Sequence, residues 1–129
     1  MKKIAFIVAF FAVTGLFAQN PADIVFKTTS HSFGKIKQNV PVTYVFSFTN
    51  NSSKPAVIEF ANAECGCTTP EYSKDPILKG KTSTIKVTYN AAAFGSFSKN
   101  VNVKFANIQL PYTLKIEGEV IAAAKSKNR

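Results

Sequence analysis

Tryptophan is absent from the 129 residues, histidine occurs once, and the only two cysteines stand two positions apart. Without two distant cysteines no disulfide can bridge two sheets, and without tryptophan the chain lacks the core signature of antibody domains. A lone histidine, His31, offers no second imidazole. There is also no Gly-x-Ser-x-Gly elbow, no glycine-rich phosphate loop and no paired-carboxylate segment, so hydrolysis and phosphoryl transfer have no residues to act through. No catalytic residue is assigned, and the chain reads as a non-enzyme unless its two sulfurs carry thiol–disulfide chemistry. Arginine is confined to Arg129, which removes the bidentate contacts that nucleic-acid readers favour.

The longest apolar run is also short. Lys2 and Lys3 precede Ile4–Val13, and Leu16-Phe17-Ala18 leads into polar Gln19, the charged, apolar and small-residue succession of a secretory signal peptide. Roughly ten to fourteen apolar residues fall short of the ~20 that a spanning helix needs, so cleavage after Ala18 and no integral span afterwards are expected. No cysteine sits near that cleavage site to receive a lipid. The reading places the protein outside the cytoplasm, periplasmic or extracellular. Residues 19–121 are the length of one domain, and residues 122–129 form a basic tail expected to be disordered.

Losing Lys2 and Lys3 lowers the formal charge of +9 by two. The remaining excess would attract anionic surfaces, but Lys27, Lys35, Lys37, Lys54, Lys74, Lys86, Lys99, Lys104 and Lys115 are scattered along the chain. They read as solvated strand faces, with no nucleic-acid partner.

After residue 22 the dominant signal is alternation with period two, which marks strands with one dry face. Val42, Tyr44, Phe46 and Phe48 oppose Thr43, Ser47 and Thr49, with Val45 the exception. Ala56, Ile58 and Phe60 follow a polar turn at residues 50–55. Ile85, Val87 and Tyr89 follow a turn at Lys79-Gly80-Lys81. Phe97, Val101, Val103 and Phe105 oppose Ser98, Asn100, Asn102 and Lys104, and Leu110, Tyr112, Leu114, Ile116 and Val120 form the last apolar face. With two N-terminal segments near Ile24–Lys27 and Ser32–Ile36, about seven strands are expected in an all-β, immunoglobulin-like antiparallel sandwich. In Phe33-Gly34-Lys35-Ile36 the two apolar residues read as anchors and Gly34 as a bulge or close approach.

One motif is left over: Glu64-Cys65-Gly66-Cys67-Thr68-Thr69-Pro70. In an exported chain its two cysteines favour a disulfide. Closing a three-residue loop yields only about 1.6 kcal/mol in the chain-entropy model. In an extended strand the two Cα atoms would stand about 6.5–7 Å apart, at the limit for a bond, so the backbone must bend at Gly66. The sequence leaves three readings open: a structural pair, either a local disulfide that shapes a loop or two small half-buried residues, a strained and exchangeable redox pair at Cys65 and Cys67, or soft ligands for copper or zinc. Glu64 and Glu71 could help to complete a metal site, whereas His31 reads as an ordinary strand or turn histidine. Asn50 and Asn51 each begin a glycosylation tripeptide, a pattern that Asn/Ser-rich turns match by chance.

Taken together, Phe33-Gly34-x-Ile36, Tyr44-x-Phe46-x-Phe48-Thr49-Asn50, Cys65-Gly66-Cys67-Thr68, Pro76-Ile77, Gly80, Ile85-x-Val87-x-Tyr89 and Ile116-x-Gly118-Glu119-Val120 resemble domain of unknown function 1573. The resemblance covers about residues 24–121. It implies a secreted bacterial module, frequent in Bacteroidetes-like organisms and related in fold to the Hydin and major-sperm-protein group. Leu78-Lys79-Gly80 departs from the family's more usual Pro-Gly turn. The family implies no activity, cofactor or named partner; Cys65, Gly66, Cys67 and Thr68 fall on its signature. The functional expectation is a non-enzymatic envelope module that binds a protein or glycan, with thiol-redox or copper/zinc handling through Cys65 and Cys67 as the rival.

Overall fold

The computed structural model describes residues 23–122. The expected signal peptide at 1–18 and nearly all of the basic tail lie outside the described residues. Eight strands follow in order: β1 (Ile24–Phe26), β2 (Ser30–Lys37), β3 (Val42–Asn50), β4 (Ile58–Ala63), β5 (Thr68–Tyr72), β6 (Thr82–Tyr89), β7 (Gly95–Phe105) and β8 (Tyr112–Ile121). They form two four-stranded sheets, β1-β3-β6-β5 and β2-β8-β7-β4, in an immunoglobulin-like sandwich.

The alternation predicts which side chains lie between the sheets, and the burial follows it closely. Phe46, Phe48, Ile85, Val87 and Tyr89 from one sheet meet Val101, Val103, Phe105, Leu114, Ile116 and Val120 from the other, all buried. Burying such side chains stabilises by about 1.5–3 kcal/mol each before entropy is subtracted. The aromatics interlock: Phe48 lies edge-on to Phe105 at 5.3 Å, and Tyr89 stacks on Phe97 at 4.0 Å. Val45, the residue out of pattern, is 47% exposed on the outer face.

Four expectations are corrected. β5 adds a strand that the pattern does not reveal, because Pro70 interrupts it; Pro70 is tolerated because β5 pairs only with β6 at a sheet edge. The sandwich is not wholly antiparallel: after β1 pairs antiparallel with β3, the chain changes sheets and β2 runs parallel to β8. Phe60 faces outward, since a bulge between Ile58 and Phe60 shifts the register and sends Ala61 inward in its place. Leu110 lies before the last strand and is exposed, the strand beginning only at Tyr112.

The expected feature at Gly34 is present in both forms. The β2–β8 register shifts between Ser32 and Lys35, with Gly34 at φ 68°. Across from it, a Cβ on Gly118 would lie 2.8 Å from the Gly34 carbonyl oxygen and 2.9 Å from the Phe97 ring, so any side chain at position 118 must displace the β2 backbone or that ring. At the Leu78–Lys81 turn, Gly80 at φ 78° supplies the left-handed residue while Lys81 N–H donates to the Leu78 carbonyl at 2.9 Å. That is the residue a type II turn requires, with lysine instead of proline before it.

Candidate functional site

The Cys-Gly-Cys motif occupies the crossing between the sheets. β4 is one edge of its sheet and β5 is one edge of the other, and the turn Glu64–Cys67 carries the chain from the first to the second. Backbone hydrogen bonds fix the turn at both ends. Glu64 N–H donates to the Asn100 carbonyl of β7 at 3.3 Å, Thr68 N–H to the Cys65 carbonyl at 3.3 Å, and Asn90 N–H to the Cys67 carbonyl at 2.9 Å.

Cys65 and Cys67 are joined in a disulfide with their Cα atoms 5.3 Å apart, well inside the ordinary disulfide range. The bend that the sequence requires is therefore made by the turn. Gly66 makes it without a positive φ, and nothing lies within 4 Å of where its Cβ would be. Its role in the bend is thus not one that only glycine could fill. Both cysteines are half-buried and Gly66 is exposed. The two sulfurs are not equivalent, because Cys67 packs against the hydrophobic core.

Thr68 is the residue of the motif whose environment the sequence does not announce. It is 3% exposed, one of two buried polar residues among those described. Its hydroxyl lies 3.6 Å from Cys67 Sγ and 4.0 Å from Cys65 Sγ. A disulfide sulfur has no proton, so the hydroxyl donates, its single proton going to the nearer Cys67 Sγ or shared between the two sulfurs. A buried hydroxyl without a partner costs free energy, and here its partners are the sulfurs.

The other residues considered for metal binding do not converge on this turn. Glu64 accepts a hydrogen bond from Asn100 Nδ2 at 2.9 Å, Glu71 pairs with Lys86 at 3.6 Å on the exposed face, and His31 lies on β2 at the far edge of the sandwich. There His31 stacks on Tyr44 with ring centroids 3.7 Å apart and meets the edge of Phe33 at 4.7 Å. Among the described residues no group of three or more His, Cys, Asp or Glu side chains stands close enough to hold a metal ion.

Asn50, expected in the polar turn at residues 50–55, is the last residue of β3. It is fully buried, its amide donates to the carbonyls of Lys54 and Ile77 at 2.8 Å each, and its side-chain oxygen accepts from Ser52 N–H and Ser52 Oγ. Asn50 thus ties the β3–β4 turn to the bridge between Ala56 and Ile77, and in the folded domain it cannot accept a glycan. The signal that could have revealed it is its place one step beyond Phe48 on the inward-facing side of β3.

A second feature concerns an edge. β1 pairs with only the last three residues of β3, and Lys27 N–H reaches the Ser47 carbonyl at 2.9 Å. Residues of an antiparallel strand present their backbone groups to alternate sides. Val45 and Thr43, next along the β1 side, therefore offer their N–H and C=O groups to no strand among the described residues.

The fold recurs in solved structures. A protein of unknown function from Porphyromonas gingivalis W83 superposes with a TM-score of 0.66 at 12% identity, over 75% of this chain and 46% of that one. The ASH/PapD-like domain 7 of human CEP192 gives 0.67 at 7% identity, over 78% and 87%. The YadV chaperone gives 0.54 at 18% identity, over 81% and 55%. The chain thus spans less than half of the Porphyromonas protein. At these identities the likeness concerns the fold alone. No curated protein matches the sequence significantly. The model of the family described as "Protein of unknown function (DUF1573)" matches residues 24–120, almost all of the sandwich, and the chain belongs to that family.

Proposed function

We propose that the protein is an exported, non-enzymatic interaction module of the cell envelope that works without a cofactor and binds an extended segment of a partner protein along the free edge of β3. The observation that carries this reading is the stretch of β3 at Thr43–Val45, which pairs with β6 on one side and with no described strand on the side of β1, with Val45 exposed. An edge strand with unsatisfied N–H and C=O groups is a template for strand addition. Backbone pairing of this kind suits a peptide better than a glycan, because the spacing of its donors and acceptors is that of another strand. Export is supported by the Lys2-Lys3, Ile4–Val13 and Ala18 succession.

The test uses the chain expressed with its full N-terminus. Intact mass of the protein recovered from the envelope should begin at Gln19; a mass that retains Met1 in the cytoplasm removes the export claim. A photo-crosslinking residue at Thr43 should give a discrete adduct that disappears when Val45→Pro is added. That substitution removes an N–H that no described strand uses. Adducts insensitive to Val45→Pro, or equally abundant from a crosslinker at Glu117 on the outer face of the other sheet, would reject the edge as the binding site.

A further inference from the structure

We propose that the Cys65–Cys67 disulfide is a thiol–disulfide exchange site for a dithiol protein, entered at Cys65, with Cys67 as the leaving thiolate and Thr68 as the hydroxyl that receives it. This goes beyond the edge-binding role and does not depend on it.

Three observations meet at the turn. The bond closes a three-residue loop, worth only about 1.6 kcal/mol in the chain-entropy model, and the sandwich has a hydrophobic core that does not include Cys65, so the disulfide can open while the fold persists. The two sulfurs are unequal: both backbone carbonyls accept a hydrogen bond, but only Cys67 packs against the hydrophobic core, whereas Cys65 is not part of that packing. The third is Thr68, a buried hydroxyl whose partners are the two sulfurs, the nearer being Cys67 Sγ at 3.6 Å. A neutral disulfide sulfur is a weak acceptor and a thiolate a strong one. The contact that Thr68 makes therefore strengthens as negative charge develops on Cys67. Exchange depends on the leaving sulfur as well as on the attacking one.

The step follows from this asymmetry. A thiolate of the partner attacks Cys65 Sγ; the Cys65–Cys67 bond breaks and its electron pair leaves on Cys67 Sγ, where the Thr68 hydroxyl donates to it. A mixed disulfide now joins Cys65 to the partner. The partner's second thiol gives its proton to solvent and attacks its own sulfur in that bond, forming the partner's disulfide and releasing Cys65 as a thiolate. The partner loses two electrons and two protons, and the chain gains the two electrons as a pair of thiols once Cys65 and Cys67 are protonated.

The probe is reduced glutathione, added to the purified, oxidised protein and quenched with acid. Tandem mass spectrometry should place the glutathione adduct on Cys65; an adduct mainly on Cys67 overturns the assignment. Thr68→Val, which keeps the β-branched shape, should slow opening about tenfold, the scale of a lost hydrogen bond to a charged group, and Thr68→Ser should restore most of the rate. Urea midpoints of all three proteins are compared in the oxidised state, so that a change in rate without a matching change in midpoint separates thiolate stabilisation from packing. A Thr68→Val rate equal to that of the native protein, or a bond that glutathione opens only where urea has unfolded the sandwich, sinks the proposal.

Discussion

The two long sides of the sandwich face the same problem and meet it with different chemistry. On each side the chain leaves one sheet and enters the other, between Phe26 and Ser30 on the first and between Ala63 and Thr68 on the second. The first side is filled by rings. His31 of β2 stacks on Tyr44 of β3, Phe33 touches His31, and Phe26 sits 5.5 Å from Tyr112. The second side has no such filling at its crossing and carries a two-residue-spaced disulfide with a buried hydroxyl beneath it. Aromatic area removed from water stabilises a fold directly, whereas a three-residue disulfide loop contributes little. The first crossing is thus built for stability, and the second has a covalent bond that the fold can do without.

This contrast can be broken most sharply at Tyr44. Tyr44→Ala removes the ring that joins His31 to Phe46, which it meets edge-on at 4.8 Å. Unfolding in urea should show a loss of about 3 kcal/mol, at the lower end for removing a large aromatic because Tyr44 is only half-buried. Next comes Gly118→Ala on the same side of the molecule. Its methyl would press on the Gly34 carbonyl and the Phe97 ring, and the expected cost is about 2 kcal/mol, the usual range for overpacking. On the other side, Cys65→Ser with Cys67→Ser should cost no more than about 1.6 kcal/mol, read as a shift of the urea midpoint with unchanged slope. If the double serine variant loses as much as Tyr44→Ala, the disulfide is a staple and the contrast fails. The smallest effect belongs to Gly66→Ala, which should change stability by less than about 0.5 kcal/mol, the range of a surface substitution away from special features. The thermal midpoints of the two glycine variants, measured side by side, test whether close approach or mere exposure decides what a glycine is for.

Much of this was legible in the residues. The faces of β3, β6, β7 and β8 follow from alternation, because a half-buried strand must place every second side chain in the dry layer. The bulge at Gly34 was legible for a similar reason, since glycine inside an apolar strand segment marks a place where the pleat is broken. The bulge before Phe60 was not: Glu59 and Phe60 carry no mark of it, and only pairing against Lys104 and Val103 reveals the extra residue. β5 escaped because its five residues include Pro70 and show no clean alternation. Asn50 escaped because a polar residue in an Asn/Ser-rich turn looks solvent-facing until its buried carbonyl partners are known.

At the site the division is similar. The motif, its short spacing and the bend that any bond between its sulfurs requires are local properties, set by two positions of separation and the reach of a backbone, and the sequence alone determined them; that the two sulfurs are joined came from the structure. It also determined the all-β sandwich, through the period of its apolar residues. Which sheet each edge strand joins, that the motif lies where the chain passes between sheets, that Cys67 rests on the core more than Cys65 does, and that Thr68 is buried against both sulfurs were decided only by tertiary structure. These are relations between strands far apart in the chain, and burial belongs to a side chain only once its neighbours are in place.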